Sequence, residues 1–99
     1  MNEVLVIIPT YNESENIIKI TKSIFAIHQD INILVVDDNS PDGTSNKVKE
    51  EISKFKGKLH LITRESKLGL GTAYLCGFKW AFKKNYKYII SMDADFSHN

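Results

Sequence analysis

Hydrophobic residues along this chain follow two alternating rhythms. Val4-Leu5-Val6-Ile7-Ile8 is an unbroken aliphatic run closed by Pro9, the pattern of a parallel strand buried on both faces. From Asn12 the spacing changes to three and four, and Ile17, Ile20, Ile24 and Ile27 predict one face of a helix ending near His28. Asn12, with Glu15 three residues on, predicts a capping box at its start. Ile33-Leu34-Val35-Val36 repeats the buried-strand pattern. Ser40 as cap and Pro41 at the first helical position then predict a second helix bearing Val48, Ile52 and Phe55, with Gly57 ending it. Leu59 to Thr63 alternates more and reads as a strand nearer a sheet edge. A third helix is expected to turn Tyr74, Leu75, Phe78, Ala81 and Phe82 inward, with Lys83 and Lys84 at the negative end of its dipole. Tyr88 to Met92 reads as a fourth buried strand, running directly into Asp93-Ala94-Asp95.

Strands alternating with helices over short connections predict an α/β fold, a parallel Rossmann-like sheet with helices on both faces. Right-handed crossovers put every strand's carboxyl end on one rim. The polar clusters all fall there: Pro9 to Glu13, Asp37 and Asp38, Arg64 to Gly71, and Asp93 to Asp95. Open sheets of this kind bind ligands at that rim, where strand order reverses.

Composition narrows the partners. Ninety-nine residues, 42% apolar and 25% charged with a net charge of +1, describe one globular unit at most and do not point to nucleic acid. The single cysteine, Cys76, excludes an internal disulfide and reads as a small hydrophobe on a helix. No apolar run approaches the ~18 residues of a membrane span, and the first residues lack a signal-peptide pattern.

Asp93 and Asp95 carry the clearest chemistry. A carboxylate about 4 Å from a phosphate is repelled by roughly 4 kcal/mol at an effective dielectric near 20, and a hard divalent cation between them reverses the sign. Asp37 and Asp38 have two readings, turn chemistry before a helix or acceptance of hydrogen bonds from a ribose or base. Glu13 has the reading of a favourable first-turn anion. Gly69-Leu70-Gly71-Thr72-Ala73-Tyr74 is weighed as a dinucleotide fingerprint, but Tyr74 stands where the third glycine is needed and the approach from Thr63 is too long. His28, His60 and His98 show no zinc-ligand spacing with Cys76.

Four runs in order carry a resemblance: Val6-Ile7-Ile8-Pro9-Thr10-Tyr11-Asn12-Glu13, Val35-Val36-Asp37-Asp38-Asn39-Ser40-Pro41-Asp42-Gly43-Thr44, Lys67-Leu68-Gly69-Leu70-Gly71-Thr72-Ala73-Tyr74 and Met92-Asp93-Ala94-Asp95. Together they resemble the dolichyl-phosphate mannose synthases, glycosyltransferases of family 2 with the GT-A fold. The resemblance implies strand order 3-2-1-4, and residues 1–99 as the N-terminal, donor-binding part of one catalytic domain. It implies inverting transfer of mannose from GDP-mannose to dolichyl phosphate, for protein glycosylation and GPI-anchor synthesis. Carried over, Pro9, Tyr11 and Glu13 line the guanosine pocket beside Val36 and Asp38. Asp93, Ala94 and Asp95 meet the ribose and diphosphate, and Asp93 and Asp95 hold Mg²⁺ or Mn²⁺. Small membrane subunits and the cytosolic face of the endoplasmic reticulum are likewise implied. Alternatives are a polyprenyl-phosphate glucosyltransferase using UDP-glucose and, for the ninety-nine residues alone, an inactive nucleotide-binding half-domain. A fourth strand left as a naked apolar edge is expected to promote self-association.

Overall fold

A computed structural model of the chain describes residues 3–28, 30–55, 57–65 and 69–93. Four strands, β1 (Val4–Thr10), β2 (Asn32–Asp37), β3 (Leu59–Thr63) and β4 (Tyr88–Ser91), alternate with helices α1 (Ile17–Ile27), α2 (Thr44–Ile52) and α3 (Leu70–Lys83). All pairings are parallel and the sheet order is β3-β2-β1-β4. This matches the expected 3-2-1-4 arrangement.

Strand alternation sends the apolar runs to two cores. Val6, Ile8, Ile33 and Val35 pack with Ile17, Ile20 and Phe25 of α1 and Val48 of α2. Leu5, Ile7, Leu34 and Val36 pack with Ala73 and Ala81 of α3 on the opposite face. The continuous aliphatic runs of β1 and β2 therefore reflect strands covered on both sides.

The helices begin and face differently from expectation. α1 starts at Ile17 rather than near Asn12, whose backbone is left-handed (φ 57°), and the expected capping box is not made. α2 starts at Thr44 with Gly43 as its cap, because the Ser40 hydroxyl is engaged by Asp37 (2.6 Å) and cannot cap a helix at Pro41. It ends at Ile52, and Gly57 instead takes a left-handed conformation (φ 72°) in the turn before β3. In α3, Ala81 is buried as expected and Tyr74 partly so, but Leu75, Phe78 and Phe82 point to solvent. The physical reason is distance: a Cβ on Gly77 would lie 2.8 Å from Ile7 Cγ2, so the closest approach of α3 to the sheet is made by Gly77 with Ala73 and Ala81, while Tyr74 and Trp80 pack at the margins of that core.

β4 is not buried. It pairs with β1 alone, and Tyr88 and Ile90 are 61% and 51% exposed. As the outer strand it has no second strand beside it among the described residues. None of the described helices is long and apolar enough to cross a membrane.

Candidate functional site

Strand order reverses between β1 and β4, since the chain steps outward from β1 to β2 to β3 and then returns to the other side of β1. Pro9 shapes this point. In the parallel ladder Met92 N–H donates to the Ile7 carbonyl (3.0 Å), so the next backbone group of β1 facing β4 belongs to Pro9. Proline has no N–H to offer. The ladder stops, with Ile7 opposite Ser91 as its last pair, and the two strands are free to part at the rim. Pro9 itself pairs with Val36 of β2, and Asp93 follows two residues beyond the last residue of β4 paired to β1.

Asp93 is exposed there, and Tyr74 Oη donates to its Oδ1 (3.2 Å). Burial first, and the Asp93 charge second, push the Tyr74 phenol above its ordinary value of 10.0, so it stays protonated and able to donate at neutral pH. Ala94, Asp95 and His98 lie outside the described residues. Among the described residues no three His, Cys, Asp or Glu side chains gather as a ready-made metal cluster. Asp93 does fit a hard cation in kind, since it presents carboxylate oxygens at an open rim where ligand phosphates can complete the shell.

Asp37 and Asp38 separate into different roles. Asp37 is fully buried and accepts from the Thr10 hydroxyl (2.6 Å), the Ser40 N–H (3.0 Å) and hydroxyl (2.6 Å), and the Ser45 hydroxyl (2.8 Å). Ser45 in turn bonds the Thr63 hydroxyl (2.8 Å). Asp37 therefore ties the ends of β1, β2 and β3 together, which is its turn-chemistry reading. Asp38 is held by Arg64, whose Nε donates to Oδ1 (2.6 Å) and Nη2 to Oδ2 (2.8 Å). The same guanidinium donates to Thr72 Oγ1 (2.9 Å) and to the Gly69 carbonyl (3.0 Å), fixing the start of α3 against the end of β2. The paired Asp38 carboxylate holds Arg64 still more firmly protonated.

Glu13 sits in a loop clamped from across the sheet. The N–H groups of Asn12, Glu13 and Ser14 donate in turn to Ser40 Oγ (2.8 Å), Thr44 Oγ1 (3.1 Å) and Asp42 Oδ2 (3.1 Å). Burial raises the Asp42 pKa, but the hydrogen bonds from Thr44 and Ser14 outweigh it and leave the group below its ordinary 3.8. Glu13 and Asp42, with Asn12, Ser14, Glu15 and Asn16, line a polar hollow of about 310 Å³.

Those of the expected site residues that are described lie along one rim without forming one cluster. Pro9 and Val36 are buried in the sheet, Tyr11 is exposed beyond β1, Glu13 lines the hollow, Asp38 faces Arg64, and Asp93 ends β4. Arg64 and Tyr74 were not expected as site residues. The chain's one arginine, directly after β3 on a rim crowded with Asp37, Asp38 and Asp42, is the sequence signal that identifies Arg64.

Residues 5–99 match the family described as Glycosyl transferase family 2. The chain belongs to glycosyltransferase family 2. It is 47% identical over 94 residues to the polyprenol monophosphomannose synthase of Mycolicibacterium smegmatis, covering 95% of this chain and 36% of that protein. It is 40% identical over 95 residues to the undecaprenyl-phosphate mannosyltransferase of Micrococcus luteus, covering 96% of this chain and 39% of that one. Among solved structures it superposes on the mannosyltransferase PcManGT from Pyrobaculum calidifontis, solved in complex with GDP-Man and Mn²⁺. The TM-score is 0.70 at 27% identity, over 80% of this chain and 24% of that one. S. aureus TarS gives a TM-score of 0.78 at 25% identity, over 94% and 16% of the two chains. The four-stranded parallel sheet with its flanking helices is the GT-A arrangement of these family members. The chain spans less than half the length of the curated relatives it matches.

Proposed function

We propose that this rim is the donor side of a mannosyltransferase site that binds GDP-mannose and passes mannose, with inversion, to a polyprenyl phosphate. The observation that carries the reading is the end of the β1–β4 pairing before Pro9, with Asp93 exposed just past it at the strand-order reversal. The relatives support it: two are named for mannose transfer to polyprenol or undecaprenyl phosphate, and PcManGT was solved with GDP-Man and Mn²⁺.

On this reading the base lies toward Pro9, Tyr11 and Glu13, with Val36 and Asp38 beside them. Val36 is enclosed in the core, so it shapes the floor of that end rather than touching the ligand through its side chain. Arg64 fixes the Asp38 carboxylate in one orientation, and Tyr74 does the same for Asp93. Asp93 and Asp95 are the residues that would hold a Mg²⁺ or Mn²⁺ ion, which would supply charge neutralisation to the departing GDP. The acceptor phosphate is largely dianionic near neutral pH, its second pKa being about 6, so it attacks the anomeric carbon without a strong general base. The protein's main task is then alignment.

Dolichyl phosphate as acceptor, supply of protein glycosylation and GPI-anchor synthesis, small membrane subunits and the cytosolic face of the endoplasmic reticulum are the finer form of this proposal. They rest on the four sequence runs. A second reading is that the ninety-nine residues taken alone bind the donor without turning it over.

Calorimetric titration with GDP-mannose and with UDP-glucose, each with and without Mn²⁺, tests the donor. Binding of GDP-mannose that needs Mn²⁺ and exceeds that of UDP-glucose is expected; preference for UDP-glucose supports a glucosyltransferase instead. Incubation with dolichyl or undecaprenyl phosphate then separates transfer from binding alone.

A further inference from the structure

α3 has two patterned faces, and the sheet uses only one. Ala73, Gly77 and Ala81 lie against the strands, while Leu75, Phe78 and Phe82 recur three and four residues apart on the outside, 58%, 37% and 79% exposed. Exposed Lys79 and Lys83 continue the row begun by Leu75, each four residues after the last, whereas Lys84 lies over the Trp80 ring (5.7 Å) and Lys87 pairs with Glu3 (3.8 Å). Between Glu65 and Asp93 the sequence contains no acidic residue. An apolar stripe flanked by charge of one sign, on a helix with no acid of its own, has a defined complement.

We propose that this outer face of α3 docks on the surface of an anionic lipid bilayer. Leu75, Phe78 and Phe82 enter the boundary between headgroups and acyl chains, and Lys79 and Lys83 meet the lipid phosphates. The aliphatic stems of the lysines lie along the apolar stripe while their ammonium groups stay in the headgroup layer. A second copy of the chain is the poorer occupant. Two-fold pairing through this face would set the same lysines of both copies against one another. The surface stands on α3 alone and does not depend on the transferase reading, so failure of either leaves the other intact.

Co-sedimentation of the chain with vesicles of phosphatidylcholine, alone or mixed with phosphatidylglycerol, tests this at low salt. Binding to the mixed vesicles about tenfold or more tighter than to the neutral ones is expected, weakening as salt is added. The Leu75→Ser, Phe82→Ser double variant should lose binding to both. The Lys79→Glu, Lys83→Glu double variant should lose the preference for phosphatidylglycerol. Circular dichroism verifies that each variant is folded; should the serine variant unfold, the lysine variant decides. No binding, equal binding to both vesicle types, or binding unchanged in the folded variants overturns the proposal. So does a dimer in light scattering that ignores vesicles and dissociates on the serine substitutions, which would assign the face to a second copy.

Discussion

Arg64→Ala removes the one guanidinium that joins β2, β3 and α3 at the rim. The side chains of Arg64 and Asp38 are only 9% and 7% exposed, and two charged hydrogen bonds of 2.6 and 2.8 Å link them. Deleting one partner of a buried pair costs about 3–5 kcal/mol, since the remaining charge is left desolvated, whereas an exposed pair is worth about 0–1 kcal/mol. The pair lies at a rim that water reaches once the arginine is gone, so the low end, about 3 kcal/mol, applies. Losing the bonds to Thr72 and the Gly69 carbonyl falls within that figure, as coupled bonds do not add. Against a total stability of roughly 5–15 kcal/mol this is a large fraction. Urea denaturation of the wild type, Arg64→Ala, Asp38→Ala and the double variant measures it. The double variant should lose less than the sum of the singles by about 2 kcal/mol. Arg64→Lys should recover only part of the loss, because an ammonium cannot grip both carboxylate oxygens as a fork does. A loss below about 1 kcal/mol, or strict additivity, would refute a buried, coupled pair.

Gly77→Ala gains about 1 kcal/mol of helix propensity but forces a methyl to 2.8 Å from Ile7 Cγ2 and 2.9 Å from Cδ1. Overpacking of about 1–3 kcal/mol should win, and a urea midpoint above wild type would contradict it. Burial holds the His60 imidazole below its ordinary 6.5, with a backbone hydrogen bond at Gly57 opposing and the Lys84 charge assisting. The unfolded chain therefore takes up a proton first, so stability should be steady above pH 6.5 and fall as pH drops below it toward the folded-state value. His60→Leu should flatten that profile in urea melts on the two sides of pH 6.5. With Tyr88 and Ile90 exposed on the outer strand, the isolated chain should self-associate, and a clean monomer in multi-angle light scattering would argue against it.

The strands were legible because their signal is local. Val4 to Ile8 and Ile33 to Val36 are continuous aliphatic runs, and burial on both faces of a parallel sheet is what such runs mean. The helix starts were not, because the groups that decide them act across the sheet. Ser40 accepts from the Asn12 N–H 28 positions away, so it does not act as the local cap that its neighbourhood suggests, and Thr44 accepts from the Glu13 N–H 31 positions away. α3 misled in another way. Its large residues Leu75, Phe78 and Phe82 resemble a core face, yet Gly77 sits closest to Ile7 with Ala73 and Ala81 beside it, and Tyr74, Cys76 and Trp80 pack at the margins of that core. At the rim the chemistry-bearing residues were recognisable by position after each strand. Their pairing, Asp37 with Thr10, Asp38 with Arg64 and Asp93 with Tyr74, depends on strand order and register that no local window contains.

Uptake of Mn²⁺, followed by the loss of its free-ion electron paramagnetic resonance signal, reads the donor site directly. The wild-type chain should take up the ion when GDP-mannose is present and much less without it, while folded Asp93→Asn and Asp95→Asn variants should leave the signal nearly unchanged. Uptake that ignores both substitutions, or no uptake by the wild type with GDP-mannose, would contradict a donor site built where the β1–β4 pairing ends.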